Sequence, residues 1–102
     1  METFKNTTNA FSYTYERTLA AGETVFLKMP PVSPNKRGIN DVGWLATDNI
    51  ELSATLQDNP TAEGTMWQQI LTDDEINKTV KIIKIVNKGT ESGKVVIRAI
   101  FN

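Results

Sequence analysis

The residues of this chain that could do chemistry are its carboxylates, and the tightest group of them is Asp73, Asp74 and Glu75. Hydrolysis of a glycosidic bond needs two carboxyl groups set apart across a cleft, and three adjacent side chains do not define such a pair. Neither this cluster nor residues 48–51 match the Asp-x-Asx-x-Asx-Gly pattern of a calcium loop. The segment that begins at Thr72 has the form of a capping box, so the cluster favours a solvated loop or helix start over a catalytic or calcium site.

The chain contains no histidine and no cysteine. It therefore lacks the usual general base near neutral pH, the commonest zinc ligands, and nucleophiles built on Ser–His or Cys–His pairs. Its glycines form no phosphate-binding pattern. We predict that the protein is not an enzyme and that it uses no metal and no cofactor.

Size and composition are those of one soluble domain. The chain has 102 residues, of which 39% are hydrophobic and 23% are charged. This composition is too apolar for a disordered chain, and no run reaches the roughly 18 apolar residues of a membrane span. The first residues carry no apolar run of signal-peptide length. We expect a soluble product made in the cytoplasm.

Short alternating runs dominate the chain, and no sustained helical period is present. The sequence of residues 65–71 fits either a strand or a single helical turn. The candidate strands are residues 11–19, 24–29, 39–47, 50–56, 65–71, 79–86 and 94–101. Six or seven short strands separated by turn residues predict an antiparallel β-sandwich of the jelly-roll or immunoglobulin-like kind. We place one such domain in residues 11–102 and treat the polar residues 1–10 as an N-terminal arm or a short edge strand.

The end of the chain predicts a β-hairpin, with residues 79–86 and 94–101 joined by the polar segment 87–93. Residues 11–29 predict a second hairpin around Gly22. The last strand places Lys94, Val96, Arg98 and Ile100 on one face and its apolar residues on the other. A face that mixes apolar side chains with cations is either partly covered within the fold or lies at a contact with another chain.

Charge is distributed unevenly along the chain. Residues 44–77 contain seven carboxylates and no Lys or Arg, whereas residues 78–102 contain six cations and only Glu91 as an acid. Either the two regions are neighbouring strands whose charges pair across one sheet, or they meet complementary patches on adjacent subunits. The cations fall on both faces of the hairpin with no aromatic residues between them, so we predict no nucleic-acid partner.

A proline-rich segment, residues 30–38, interrupts the strands and carries Lys36 and Arg37 at its tip. Three prolines exclude a sheet interior, so the segment is a surface loop, which serves either as a plain crossover or as a site of interaction. Trp44 and Trp67 could be stacking platforms for a sugar, but their apolar and small neighbours favour a position in the core.

The segments Trp-Gln-Gln-Ile-Leu at 67–71, Asp-Asp-Glu at 73–75, Asn-Lys-Thr at 77–79 and Arg-Ala-Ile-Phe-Asn at 98–102 resemble small virion proteins of tailed bacteriophages. The chain is most similar in style to the auxiliary or decoration proteins of crAss-like phages, mainly over residues 44–102. The resemblance implies a β-sandwich in the virion that binds the outer capsid surface between subunits of the major capsid protein and reinforces it. It implies many copies, with protein partners and no membrane.

We therefore expect a structural virion protein that decorates a capsid. The contact residues that we predict are Lys36, Arg37, Val96, Arg98 and Ile100. Two alternatives stay open at this point. One is a tail or baseplate component of the same particle. The other is a non-catalytic carbohydrate-binding or adhesin-type module, which would display exposed aromatic residues.

Overall fold

The computed structural model of the chain describes residues 1–6, 12–30, 39–59, 64–71, 76 and 80–101. Within these ranges every regular element is a β-strand, so the prediction of an all-β protein is confirmed. The strands are β1 (Glu2–Thr3), β2 (Lys5–Asn6), β3 (Ser12–Leu19), β4 (Thr24–Lys28), β5 (Ile39–Ala46), β6 (Ile50–Thr55), β7 (Gln68–Ile70), β8 (Ile82–Asn87) and β9 (Gly93–Phe101).

Each of the seven predicted runs overlaps one of these strands, and β8 and β9 each extend one residue beyond the run that predicted them. The run at residues 65–71, for which the sequence fitted either a strand or a helical turn, contains the three-residue strand β7. The two further strands, β1 and β2, are two residues long and lie in the N-terminal segment. The proline-rich loop at residues 31–38 and the capping box at residues 72–75 lie outside the described residues.

The strands form two sheets. The five-stranded sheet has the order β1-β4-β8-β6-β7, and the four-stranded sheet has the order β2-β3-β9-β5. All neighbouring strands are antiparallel except β1 and β4, which are parallel.

Both sheets contribute one face to a common apolar core. In β9 the buried positions alternate with outward ones, so that Val95, Ile97 and Ala99 point inward. The five-stranded sheet supplies fully buried side chains such as Leu27 and Leu52 to the same cluster. The two sheets thus close one core, and because the chain has no cysteine they do so without disulfides.

Both predicted hairpins are wrong. The strands of the C-terminal pair, β8 and β9, lie in different sheets, and so do β3 and β4. Each connection is an arch that carries the chain from one sheet to the other, as is the connection between β5 and β6. The sequence pattern identifies these strands, but it does not identify their partners, because an apolar inward face is equally satisfied by a neighbour in either sheet.

The predicted hairpins do not form because the arches make hydrogen bonds with one another. Asn87 exchanges backbone hydrogen bonds with the β3–β4 arch, because Gly22 N donates to Asn87 O at 3.0 Å and Asn87 N donates to Glu23 O at 2.9 Å. Lys88 N donates to Asn49 O at 2.8 Å in the β5–β6 arch. The polar residues that suggested a closed hairpin loop are thus engaged with other connections.

The N-terminal segment runs along both sheets at one side of the molecule. Glu2 and Thr3 pair with Leu27 and Lys28 of β4, and Lys5 pairs with Thr14 of β3. Of the two options for this segment, residues 1–6 thus form short edge strands, whereas residues 7–10 lie outside the described residues. The division into an arm at residues 1–10 and a domain at residues 11–102 stays a prediction.

Candidate protein-interaction surface

Three of the five predicted contact residues lie on one exposed sheet surface. Val96, Arg98 and Ile100 point outward from β9, which is an inner strand of the four-stranded sheet. Lys36 and Arg37 lie outside the described residues, so their place relative to this surface stays a prediction.

Register and burial define the whole surface, which we call the outer face. Val96 lies between Glu16 of β3 and Leu45 of β5, and Arg98 lies between Thr14 and Gly43. Its described members are Lys5, Thr14, Glu16, Thr18, Gly43, Leu45, Lys94, Val96, Arg98 and Ile100.

Apolar side chains on the outer face are open to solvent. Leu45 is 78% exposed and Ile100 is 38% exposed, while their neighbour Val96 is half-buried. Val96 and Leu45 are direct cross-strand partners, so their side chains form a contiguous apolar patch. The sequence analysis did not single out Leu45. A signal was present, because Trp44 and Leu45 are consecutive in a strand and must point to opposite faces.

Gly43 leaves an open space beside Arg98. The two residues are cross-strand partners, and apart from the chain neighbours of Gly43 no heavy atom of the described residues lies within 4 Å of the place of a Cβ at position 43. Arg98 is exposed, and its guanidinium makes no ion pair with any described side chain. A planar donor group next to unfilled space is suited to bind a carboxylate from outside the chain.

Among the described side chains of the outer face, cations outnumber carboxylates. Lys94 Nζ lies 2.8 Å from Glu16 Oε1, and this lysine holds the pKa of the Glu16 carboxyl below its ordinary value. Among the described side chains, this pair leaves Lys5 and Arg98 as the charges that the face itself does not neutralise.

Part of the corresponding face of the five-stranded sheet is covered. Ile82, Ser53 and Thr55 point away from the shared core by strand alternation, yet they are only 2%, 8% and 3% exposed. On this side the Trp67 ring packs against Phe26, with ring centroids 5.9 Å apart. The two sheets therefore differ at these positions. Exposed apolar side chains also occur beside β6 and β7 of the five-stranded sheet, where Leu56, Met66 and Leu71 are 65%, 80% and 58% exposed.

The two tryptophans do not form an exposed pair. Trp44 is half-buried and packs against the shared core, opposite Ile97. Trp67 is half-buried beside the other sheet, and Lys84 Nζ lies 4.7 Å from the centroid of its ring. A sugar-binding platform needs a flat aromatic surface open to solvent, and neither side chain offers one.

One charge pair also joins the acidic and basic parts of the chain. Strands β6 and β8 are neighbours, and Lys88 Nζ lies 2.8 Å from Glu51 Oε2. This contact is an example of the pairing across one sheet that the uneven charge predicted. The carboxylates of residues 73–75 lie outside the described residues.

A polar groove of about 630 Å³ runs along the N-terminal edge and is lined by residues that include Glu2, Lys5, Tyr15 and Arg17. Arg17 lies on the inward face of β3 and binds Glu2 of β1 and Glu23 of the following arch, the latter at 2.7 Å. The interruption that Arg17 makes in an apolar strand face is thus explained, because its guanidinium joins the edges of the two sheets.

The Tyr15 hydroxyl is the one buried polar side-chain atom without a hydrogen-bond partner in the described part of the chain. Burial raises the pKa of this phenol, and the nearby Arg17 guanidinium opposes that rise. The carboxylate beside this hydroxyl is that of Glu2, which is bound to Arg17. The charged side chains that line the groove therefore hold the edges of the two sheets together.

Searches of the described residues for other site types give negative findings. No group of three or more acidic, histidine or cysteine side chains is placed to hold a metal ion. Nor do these residues contain a helix long and apolar enough to cross a membrane. No family model, curated protein or solved structure matches the chain.

Proposed function

We propose that this chain is a structural protein that binds another protein through its outer face and catalyses no reaction. The observation that carries the proposal is the exposed apolar patch formed by Leu45 and Val96, with Ile100 on the same strand, on an otherwise polar sheet surface. Exposed apolar patches rimmed by polar residues mark sites of protein interaction. Residues on a regular sheet are also held rigidly, so little conformational entropy is lost on binding.

Within this class we propose a virion protein, made in the host cytoplasm, that decorates a capsid. The resemblance to small phage virion proteins supports this role, as does a fold in two sheets without an apparent catalytic constellation in the described residues. The finer architecture that we propose is a β-sandwich of the jelly-roll or immunoglobulin-like kind. The major capsid protein is the proposed partner, and neither a nucleic acid nor a membrane is part of the proposal.

The size of the outer face bears on how such binding would work. Four strands about 4.8 Å apart, with a length near 30 Å, present roughly 500 Å². A stable protein interface buries about 800 Å² on each partner. We therefore expect one outer face to bind one isolated partner subunit weakly. Durable attachment would need a second contact, for which the predicted residues Lys36 and Arg37 are candidates, or many copies on a regular lattice.

The alternatives from the sequence are unequally supported. A tail or baseplate component would use the same kind of surface, so the identity of the partner separates it from decoration. A carbohydrate-binding or adhesin-type module is less well supported, because neither Trp44 nor Trp67 presents an open ring.

Co-sedimentation with empty shells assembled from the major capsid protein of the same genome tests the proposal. We expect the wild-type chain to pellet with shells up to a fixed ratio to shell subunits, and Leu45→Ser to pellet much less. Gln69→Ser, an exposed substitution on the other sheet, is the matched control. Absence of wild-type binding to shells, with saturable binding to a glycan or to purified tails, would reverse the order of the candidates.

A further inference from the structure

We infer that the outer face docks on an acidic protein surface, with a carboxylate of the partner in the open space beside Gly43 and paired with Arg98. The inference rests on the proposed function and adds to it the chemistry of the partner. It makes the cross-strand pair of Arg98 and Gly43 the centre of the contact.

The geometry at this pair is that of an unfilled binding position. Gly43 has no side chain, and apart from its chain neighbours no heavy atom in the described part of the chain lies within 4 Å of the place that a Cβ would occupy. Arg98 stands opposite, exposed and without an ion pair to a described side chain. A guanidinium binds a carboxylate through two parallel N–H···O bonds, which requires access to one of its planar edges. The absence of a side chain at position 43 provides that access.

Apolar positions flank the pair along the strand. Val96 and Leu45 occupy the cross-strand row two residues before Arg98, and Ile100 lies two residues after it. Rows two residues apart in a strand are separated by about 6.6 Å. A partner that covers these apolar side chains also removes water from Arg98, and a charge pair is stronger in such an environment than in water. The patch and the cation thus favour the same occupant.

Charge complementarity distinguishes an acidic protein from other occupants. In a symmetric contact between two copies the same patch meets itself, which brings the cations Lys5 and Arg98 of one copy toward those of the other. A nucleic acid would match the charge, but the described residues of the face include no aromatic side chain on which bases could stack. An acidic protein surface satisfies both the positive charge and the apolar patch.

Binding to shells of the major capsid protein, measured with variants at positions 98 and 43, tests the inference. We expect Arg98→Lys to bind about 5-fold more weakly than wild type, because lysine keeps the charge but cannot make the two parallel bonds. Arg98→Gln should bind about 10-fold more weakly and Arg98→Glu about 100-fold more weakly, because an acidic partner repels the reversed charge. Gly43→Asp should bind about 10-fold more weakly, since its own carboxylate pairs with Arg98. Lys28→Gln, which removes an exposed cation of the other sheet, is the control and should bind as wild type. Urea unfolding of each variant confirms that it is folded.

The outcomes separate the inference from the proposed function. Wild-type binding that Arg98→Glu and Gly43→Asp leave unchanged overturns the inference and supports the proposed function through another surface. No wild-type binding to shells overturns both. Sedimentation of the free protein as a dimer that Leu45→Ser dissociates, or binding to a 20-nucleotide DNA that Arg98→Gln abolishes, assigns the face to a second copy or to nucleic acid instead. Equal effects of Arg98→Gln and Arg98→Glu exclude an acidic partner.

Discussion

At the scale of single residues, Asn87 combines complete burial with a full set of polar contacts. Its side-chain amide donates to Leu19 O at 3.1 Å and to Glu91 O at 2.8 Å, and its Oδ1 accepts a bond from Gly89 N at 2.9 Å. With its backbone bonds to the β3–β4 arch, one residue thus joins two connections that are distant in sequence. The strand pattern did not identify it, because a polar residue at a strand end reads as the start of a solvent-exposed loop.

We expect Asn87→Ala to lower the free energy of unfolding by about 3 kcal/mol, because it leaves buried backbone groups without partners. Urea denaturation monitored by fluorescence measures the change. Gln68→Ala, at an exposed position of β7, is the control and should differ from wild type by less than about 0.5 kcal/mol. A loss below about 1 kcal/mol in Asn87→Ala would mean that water replaces the amide.

Tyr15 provides a prediction on pH. Its pKa in the folded protein is raised above the ordinary value of 10.0, mainly by burial. The neutral phenol therefore favours the folded state below pH 10, and this contribution is lost as the pH rises through the folded pKa. We expect Tyr15→Phe to unfold within about 1 kcal/mol of wild type at pH 7, because the hydroxyl has no partner among the described groups.

The free energy of unfolding of Tyr15→Phe should then rise relative to that of wild type above pH 10. Urea denaturation at pH 7, 10 and 11 measures this difference. A difference that is constant across this range would show that the folded-state pKa of Tyr15 equals that of the unfolded chain. A loss above about 2 kcal/mol at pH 7 would show that the hydroxyl is hydrogen-bonded.

At the scale of elements, the arches distinguish this fold from the one predicted. Asn49 Nδ2 donates to Glu91 O at 3.1 Å and to Ser92 O at 3.2 Å, and Lys94 N donates to Thr47 Oγ1 at 3.1 Å. The β5–β6 and β8–β9 connections therefore pack against each other at one end of the molecule. The side chains of Thr47, Asn49 and Ile50 fill the space that a Cβ at Gly93 would need.

Gly93→Ala should destabilise the fold by about 2 kcal/mol, because its Cβ would lie 2.7 Å from Asn49 Oδ1 and 2.8 Å from Ile50 Cδ1. Gly43→Ala is the matched control within the same sheet. It meets no atom within 4 Å, so we expect it to be neutral or to stabilise by up to about 1 kcal/mol. Thermal unfolding of both variants compares them, and equal melting temperatures would contradict the close packing of the arches.

The positions of most strands could be predicted from the sequence, but most of the strand pairings could not. Alternation located the strands, and it placed Val96, Arg98 and Ile100 correctly on the outward face of β9. It could not assign β8 and β9 to different sheets, since that choice depends on contacts with Asn49 and Leu19, which are distant in sequence. Alternation also did not identify Leu45 as exposed. It requires Trp44 and Leu45 to point to opposite faces, but both are apolar and either could have been the inward one.

At the scale of the whole molecule, residues 1–6 close one side of the two sheets. Backbone ladders connect them to β4 and β3, the Phe4 ring lies 6.2 Å from that of Tyr15, and Glu2 binds Arg17. The segment thus covers two strand edges at once, and uncovered edges favour association between molecules.

A chain that lacks residues 1–6 should unfold at lower urea concentration, by about 2 kcal/mol in free energy, and should aggregate at concentrations where wild type does not. Urea denaturation and light scattering measure the two effects. Glu2→Gln, which keeps the backbone ladders, is the control and should remain soluble. Wild-type behaviour of the shortened chain would show that the segment closes neither sheet.

The position of β9 has a consequence for biosynthesis. Strands β3 and β5 do not pair with each other, and each pairs with β9, which follows every other described strand in the sequence. A ribosome-bound chain halted before Gly93 would hold both strands without their common neighbour, so half of the molecule could not form. Its protease resistance should therefore arise abruptly, once residues 93–101 have left the exit tunnel.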